Sequence, residues 1–160
     1  MKKILFIIAI AISMITTAQV NSVSLQASGL TCSMCSNAIN KALRTLDFVL
    51  DVDADIKTYT FKISFKPNSV IDFDKIRKKV VDAGFTVYAF IADIYFNNVQ
   101  VRKELPVIVQ DKKLLFINAG DQVLSGNKQV KILDKGFVSP KEYKKNEFPD
   151  LALGTFHVSL

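Results

Sequence analysis

Between Val23 and Ile94 the apolar residues switch repeatedly between a period of two and a period of about 3.6, and this succession constrains the fold more than any other feature of the chain. Val23, Leu25 and Ala27 alternate with Ser24, Gln26 and Ser28, which predicts a half-buried strand closed by Gly29. Ala38, Ile39, Ala42, Leu43 and Leu46 then form one helical stripe, with Asn40, Lys41 and Arg44 opposite. Leu50, Val52, Ala54 and Ile56 alternate with Asp51, Asp53 and Asp55. Tyr59, Phe61, Ile63 and Phe65 alternate with Thr60, Lys62, Ser64 and Lys66, and the short join between the two runs predicts a hairpin. The three aspartates share a solvent face that Lys62 and Lys66 can offset, a simpler reading than a hard-metal site. After the Pro67-Asn68-Ser69 turn, Phe73, Ile76, Val80 and Ala83 recur at helical spacing, with Asp72 and Asp74 at the start and Gly84 at a left-handed end. Phe85 to Ile94 reads as a fourth strand, with Val87, Ala89 and Ile91 on one side and Tyr88 and Phe90 on the other.

The order is β-α-β-β-α-β, which predicts an α+β, ferredoxin-like domain with both helices on one face of a four-stranded sheet. Tyr88 and Phe90 then fall on the polar outer face, as a docking patch for the rest of the chain. Beyond it, Val99-Gln100-Val101, Val107 to Val109, Leu114 to Ile117, Val130 to Leu133 and Phe156-His157-Val158 read as short strands. Asn97-Asn98, Asp111-Lys112, Ala119-Gly120-Asp121 and Ser125-Gly126-Asn127 read as turns. Ser139-Pro140-Lys141-Glu142 is a capping box opening a short helix from Pro140 to Lys145. This half is expected to be a small mostly-β unit, barrel or OB-like, with a marginal core of its own.

The first residues are of another kind. Met1-Lys2-Lys3, an apolar run from Ile4 to Ile15, and the small residues Thr16-Thr17-Ala18 predict a secretory signal peptide. The run is short for a membrane span, which takes about 20 residues. The expected organisation is a signal peptide at 1–18, a ferredoxin-like domain at 21–94 and a small β-rich domain at 95–160, giving a soluble periplasmic or secreted protein with no membrane span after cleavage. Loss of Lys2 and Lys3 lowers the net charge from +6 to +4. The remaining lysines are dispersed, which argues against nucleic-acid binding.

Both cysteines of the chain lie in Gly29-Leu30-Thr31-Cys32-Ser33-Met34-Cys35, where the first strand gives way to the first helix. A Cys-x-x-Cys there can bind a soft metal, exchange disulfides, or stand as a structural disulfide. Thiolate pairs select soft ions, Cu(I) first, with Zn(II), Cd(II) or Ag(I) as further candidates. Cu(I) accepts two nearly linear sulfurs, whereas Zn(II) takes about four ligands and the segment offers no nearby histidine or carboxylate. The positive end of the helix favours thiolate at Cys35. Met34, between the cysteines, reads as a solvent-facing residue whose thioether is available to copper.

Gly29-Leu30-Thr31-Cys32-Ser33-Met34-Cys35 resembles the Gly-Met-Thr-Cys-x-x-Cys of heavy-metal-associated domains, the fold of copper chaperones and of the metal-binding repeats of copper-transporting ATPases. Val81-Asp82-Ala83-Gly84-Phe85 is similar to that family's Ala-Gly-Phe or Ala-Gly-Tyr before the last strand. Leu30 replaces the usual Met and keeps its volume. The resemblance implies metal ligation by Cys32 and Cys35, with Phe85 as an apolar cover over the loop. Zinc-preferring members often carry an acidic residue where this chain has Thr31, so the resemblance points to copper. It also implies a metal-donor or metal-acceptor protein as partner, and ligand exchange rather than enzymatic catalysis.

Two other functions fit the same motif. A thiol-disulfide oxidoreductase also places Cys-x-x-Cys at a helix start, but none of Pro67, Pro106, Pro140 and Pro149 begins a strand facing the loop, and the chain has no Trp. A structural module with an oxidised pair suits an exported compartment. His157, the only histidine, alternates with Phe156 and Val158 and is expected to face outward.

Overall fold

The computed structural model describes residues 18–30, 33–146, 148 and 154–160. The expected order is present: β1 (Ala18–Ser28), α1 (Ser33–Arg44), β2 (Val49–Asp55), β3 (Thr60–Phe65), α2 (Phe73–Asp82) and β4 (Thr86–Val101). β5 (Val107–Val109), β6 (Lys112–Phe116), β7 (Gln122–Ile132), α3 (Pro140–Lys145) and β8 (Thr155–Ser159) follow. The first four strands lie in the order β2-β3-β1-β4, all antiparallel, as a ferredoxin-like sheet requires.

The second half continues this sheet instead of standing beside it. β7 pairs with the far edge of β4, and β8, β6 and β5 extend the order, making one sheet of eight strands. β4 therefore runs straight through residue 95, where the sequence suggests a division. Asn97-Asn98 and Ser125-Gly126-Asn127, expected as turns, are bends inside long paired strands. The register slips between Phe96 and Val99, with Asn98 at φ 51° and Gly126 at φ 75°. Residues that tolerate positive φ serve a bulge as well as a reversal.

Two more bulges change which residues face the core. Ala27 pairs with Val87 but Gln26 with Ala89, so Tyr88 is an extra residue in β4. The alternation changes phase there: Val87 is buried, and so are Phe90, Ala92, Ile94 and Phe96. Phe90 is thus a core residue, not an outer-face one, while Tyr88 stays outside. In β2 the register slips between Val49 and Asp51, which buries Val49 and leaves Leu50 exposed. Ile56 lies past the strand in the turn and is exposed too. In α1, Ala38 is exposed, and Ser36, Ile39 and Leu43 face the sheet.

Phe90 joins the two halves. Its ring lies 5.1 Å from Phe73 of α2 and 5.2 Å, edge-on, from Phe137; Phe73 and Phe137 each lie against Phe156 of β8, at 5.5 and 5.6 Å. Such ring pairs contribute about 0.5–1.5 kcal/mol each beyond area burial. Arg77 of α2 stacks over Phe137 at 5.4 Å, and Lys112 lies over Phe73 at 5.0 Å. The second half docks on the helical side of the sheet, through Phe90 but on the face opposite to the one its sequence position suggests.

Candidate metal centre

Gly29 and Gly84 turn the backbone at the two segments nearest the Cys-x-x-Cys motif. β1 ends at Ser28, and Gly29 turns the chain with φ +87°, a conformation side chains rarely adopt. Leu30 then drops into the core at 7% exposure, the buried role expected of a Met substitute. Thr31 and Cys32 lie outside the described residues. α1 resumes at Ser33, so Met34 and Cys35 belong to its first turn. Met34 points to solvent at 80% exposure. Cys35 is half-buried and packs against the core cluster.

The opposite side is built by the end of α2. Ala83 caps the helix, Gly84 follows at φ +90°, the Phe85 N–H donates to the Val80 carbonyl at 3.1 Å, and the Gly84 N–H donates to Val81 at 2.9 Å. This pair of bonds is a Schellman closure, and it fixes the direction in which Phe85 leaves the helix. A Cβ on Gly29 would meet Phe85 Cδ1 at 4.0 Å, so the ring lies over the glycine that starts the loop. Phe85 and Cys35 pack on the same core cluster. The strand ends below are tied by the Ser28 and Thr86 hydroxyls at 2.8 Å.

No acidic residue occupies the first turn of α1. Among the described residues, no three His, Cys, Asp or Glu side chains group together. Sequence reasoning passed over Ser36, which is 3% exposed with no hydrogen-bond partner for its Oγ among the described residues. Its position next to Cys35 on the stripe of Ile39 and Leu43 was the available signal.

His157 does not face outward. All of Phe156, His157 and Val158 are buried, because β8 lies between β6 and β7 and is covered on both faces. The His157 Nδ1 lies 2.7 Å from Asp134 Oδ1, its N–H donates to Asp134 Oδ2, and its ring stacks on Phe148 at 4.4 Å. The imidazole is part of the second half's packing.

Residues 24–86 match the family model of the heavy-metal-associated domain. Among three proteins similar to this stretch, two are named for copper. A probable copper-transporting ATPase of Arabidopsis thaliana is 40% identical over 60 residues, which are 38% of this chain and 6% of the ATPase. The chain therefore spans only a small part of that relative's length. A yeast copper transporter domain, solved in apo and Cu(I)-loaded states, is 31% identical over 42% of this chain and 90% of its own, with a TM-score of 0.38. Oxidised MerP from Ralstonia metallidurans CH34 is 29% identical over 44% of this chain and 97% of its own, also with a TM-score of 0.38.

Proposed function

We propose that the protein is an exported carrier of Cu(I), held by the Cys32 and Cys35 thiolates and passed to or from a partner protein by ligand exchange. The observation that carries this reading is the Cys-x-x-Cys at the opening of α1, in a heavy-metal-associated domain whose Phe85 is anchored over Gly29. Two sulfurs suffice for Cu(I) and leave zinc short of its usual four ligands. The similarity to a probable copper-transporting ATPase supports the same ion. Met34, in the same first turn as Cys35, is exposed; a partner's thiolate entering on that side before the first pair leaves completes the transfer without a catalytic group.

Export is supported by the charged and apolar start of the chain, Met1-Lys2-Lys3 followed by Ile4 to Ile15. An anaerobic titration of the reduced protein with Cu(I) against a chromophoric Cu(I) chelator tests the binding step. One equivalent is expected to be withdrawn from the chelator, and Cys32→Ser or Cys35→Ser is expected to abolish this. Failure of the reduced protein to compete would overturn the reading.

A further inference from the structure

The second half builds a cleft beside the metal loop. One wall is the turn after Asp134 together with α3; the other is the end of α2 and the start of β4. The cleft encloses about 470 Å³, and Val81, Val87, Tyr88, Val138, Pro140 and Tyr143 give it an apolar lining. Ser28 and Thr86 also line it, and these residues directly precede Gly29 and follow Phe85. Val81 and Tyr88 remain 46% and 49% exposed; Tyr88 is the residue the β4 bulge turns outward. A second hollow shares Tyr88 and Ser139 and continues along α3 past Lys141 and Lys145.

The rim is positively charged. Lys135, Lys141, Lys144 and Lys145 are exposed around the two hollows. Among the described residues the nearby acids are already committed: Glu142 to Lys131, Asp82 to Lys78, and Asp134 to His157. The walls are fixed in advance. Ser139 caps α3 by accepting from the Glu142 N–H, and Arg77 packs against Gly136, whose φ of +85° and lack of a Cβ leave room for the guanidinium.

We propose that this cleft docks an acidic segment of a partner polypeptide, with one projecting aliphatic or aromatic side chain seated on Val81 and Tyr88. The unpaired lysines select the charge, and the concave apolar floor selects a side chain over a flat anionic surface such as a membrane. A segment held there sits beside the loop that carries the cysteines. The surface is contributed largely by residues outside 24–86, so it belongs to this chain and not to the heavy-metal-associated domain in general.

The test uses the full chain, reduced, metal-free and isotope-labelled for NMR. The probe is a short synthetic peptide of Glu and Asp residues around a central Phe-Leu pair. Saturable binding is expected, with shifts centred on the amides of Val81, Tyr88, Val138 and Tyr143. A peptide with its acids changed to Lys, and one with Phe-Leu changed to Ser, are each expected to bind at least about tenfold more weakly. Lys141→Glu with Lys144→Glu, and separately Tyr88→Ser, are expected to weaken the parent peptide by about the same factor while leaving Cu(I) affinity unchanged. No binding, shifts centred elsewhere, equal binding of the serine peptide, or displacement by anionic vesicles that Tyr88→Ser does not affect would each overturn the proposal. Peptide binding is read without metal, so it stands or falls separately from the copper reading.

Discussion

Three residues have consequences that can be measured singly. Gly84 sits at φ +90°, where a Cβ costs about 1–2 kcal/mol, so Gly84→Ala should lower stability in urea by that amount and loosen Phe85. Ser36 behaves in the opposite way. Its buried hydroxyl lacks a partner among the described residues, so Ser36→Ala should leave the metal-free protein as stable or more stable, by up to about 1 kcal/mol. A clear loss of stability would show that the hydroxyl has a partner after all. The Asp55 carboxylate accepts from the Thr58 hydroxyl at 2.9 Å and the Lys57 N–H at 2.8 Å, and these bonds, the hydroxyl first, hold its pKa below the usual 3.8. A lowered folded pKa means that its stabilising effect is present above that usual value and is lost as pH falls through the lower one. Asp55→Asn should therefore reduce the difference in thermal midpoint between neutral and strongly acidic pH; an unchanged acid profile would refute this role for the β2–β3 turn.

At the scale of elements, the sequence made the helices and strands around the cysteines legible because each carries one clean period. The α2 N-cap at Asp72 and its left-handed exit at Gly84 were readable from residue type alone. Faces were less readable, because a single inserted residue reverses every later side chain. The bulge at Tyr88 moved Phe90 inward, and the slip after Val49 moved Leu50 outward, with no mark in the apolar pattern. Strand length failed for a related reason. Asn98 and Gly126 are turn-forming types, yet here they bend β4 and β7 where the two remain paired. The loop itself was legible in position and residue type, whereas Phe85 was placed near it only through the family resemblance.

For the whole molecule, the sheet and the ring cluster predict shared stability. Phe73 and Phe90 come from the first half of the chain, Phe137 and Phe156 from the second. Phe137→Ala should cost about 3–5 kcal/mol, and resonances of α1 and α2 should be lost in the same thermal transition as those of β6 and β8. Two separated transitions would mean that the halves fold independently despite the continuous β4. His157 shows why this unity was hard to foresee: a residue in a short alternating run looks outward until β8 is known to lie between two strands, with Phe148 over its ring. The second half thus packs on the first and walls a cleft beside its loop, and the proposed metal chemistry rests on Cys32 and Cys35. That assignment is tested most directly by X-ray absorption at the copper edge on the reduced full chain loaded with one equivalent of Cu(I). The account predicts a Cu(I) edge with an inner shell of sulfur alone, lost in both cysteine-to-serine variants; a shell of nitrogen or oxygen ligands, or a sulfur shell that survives either substitution, would contradict it.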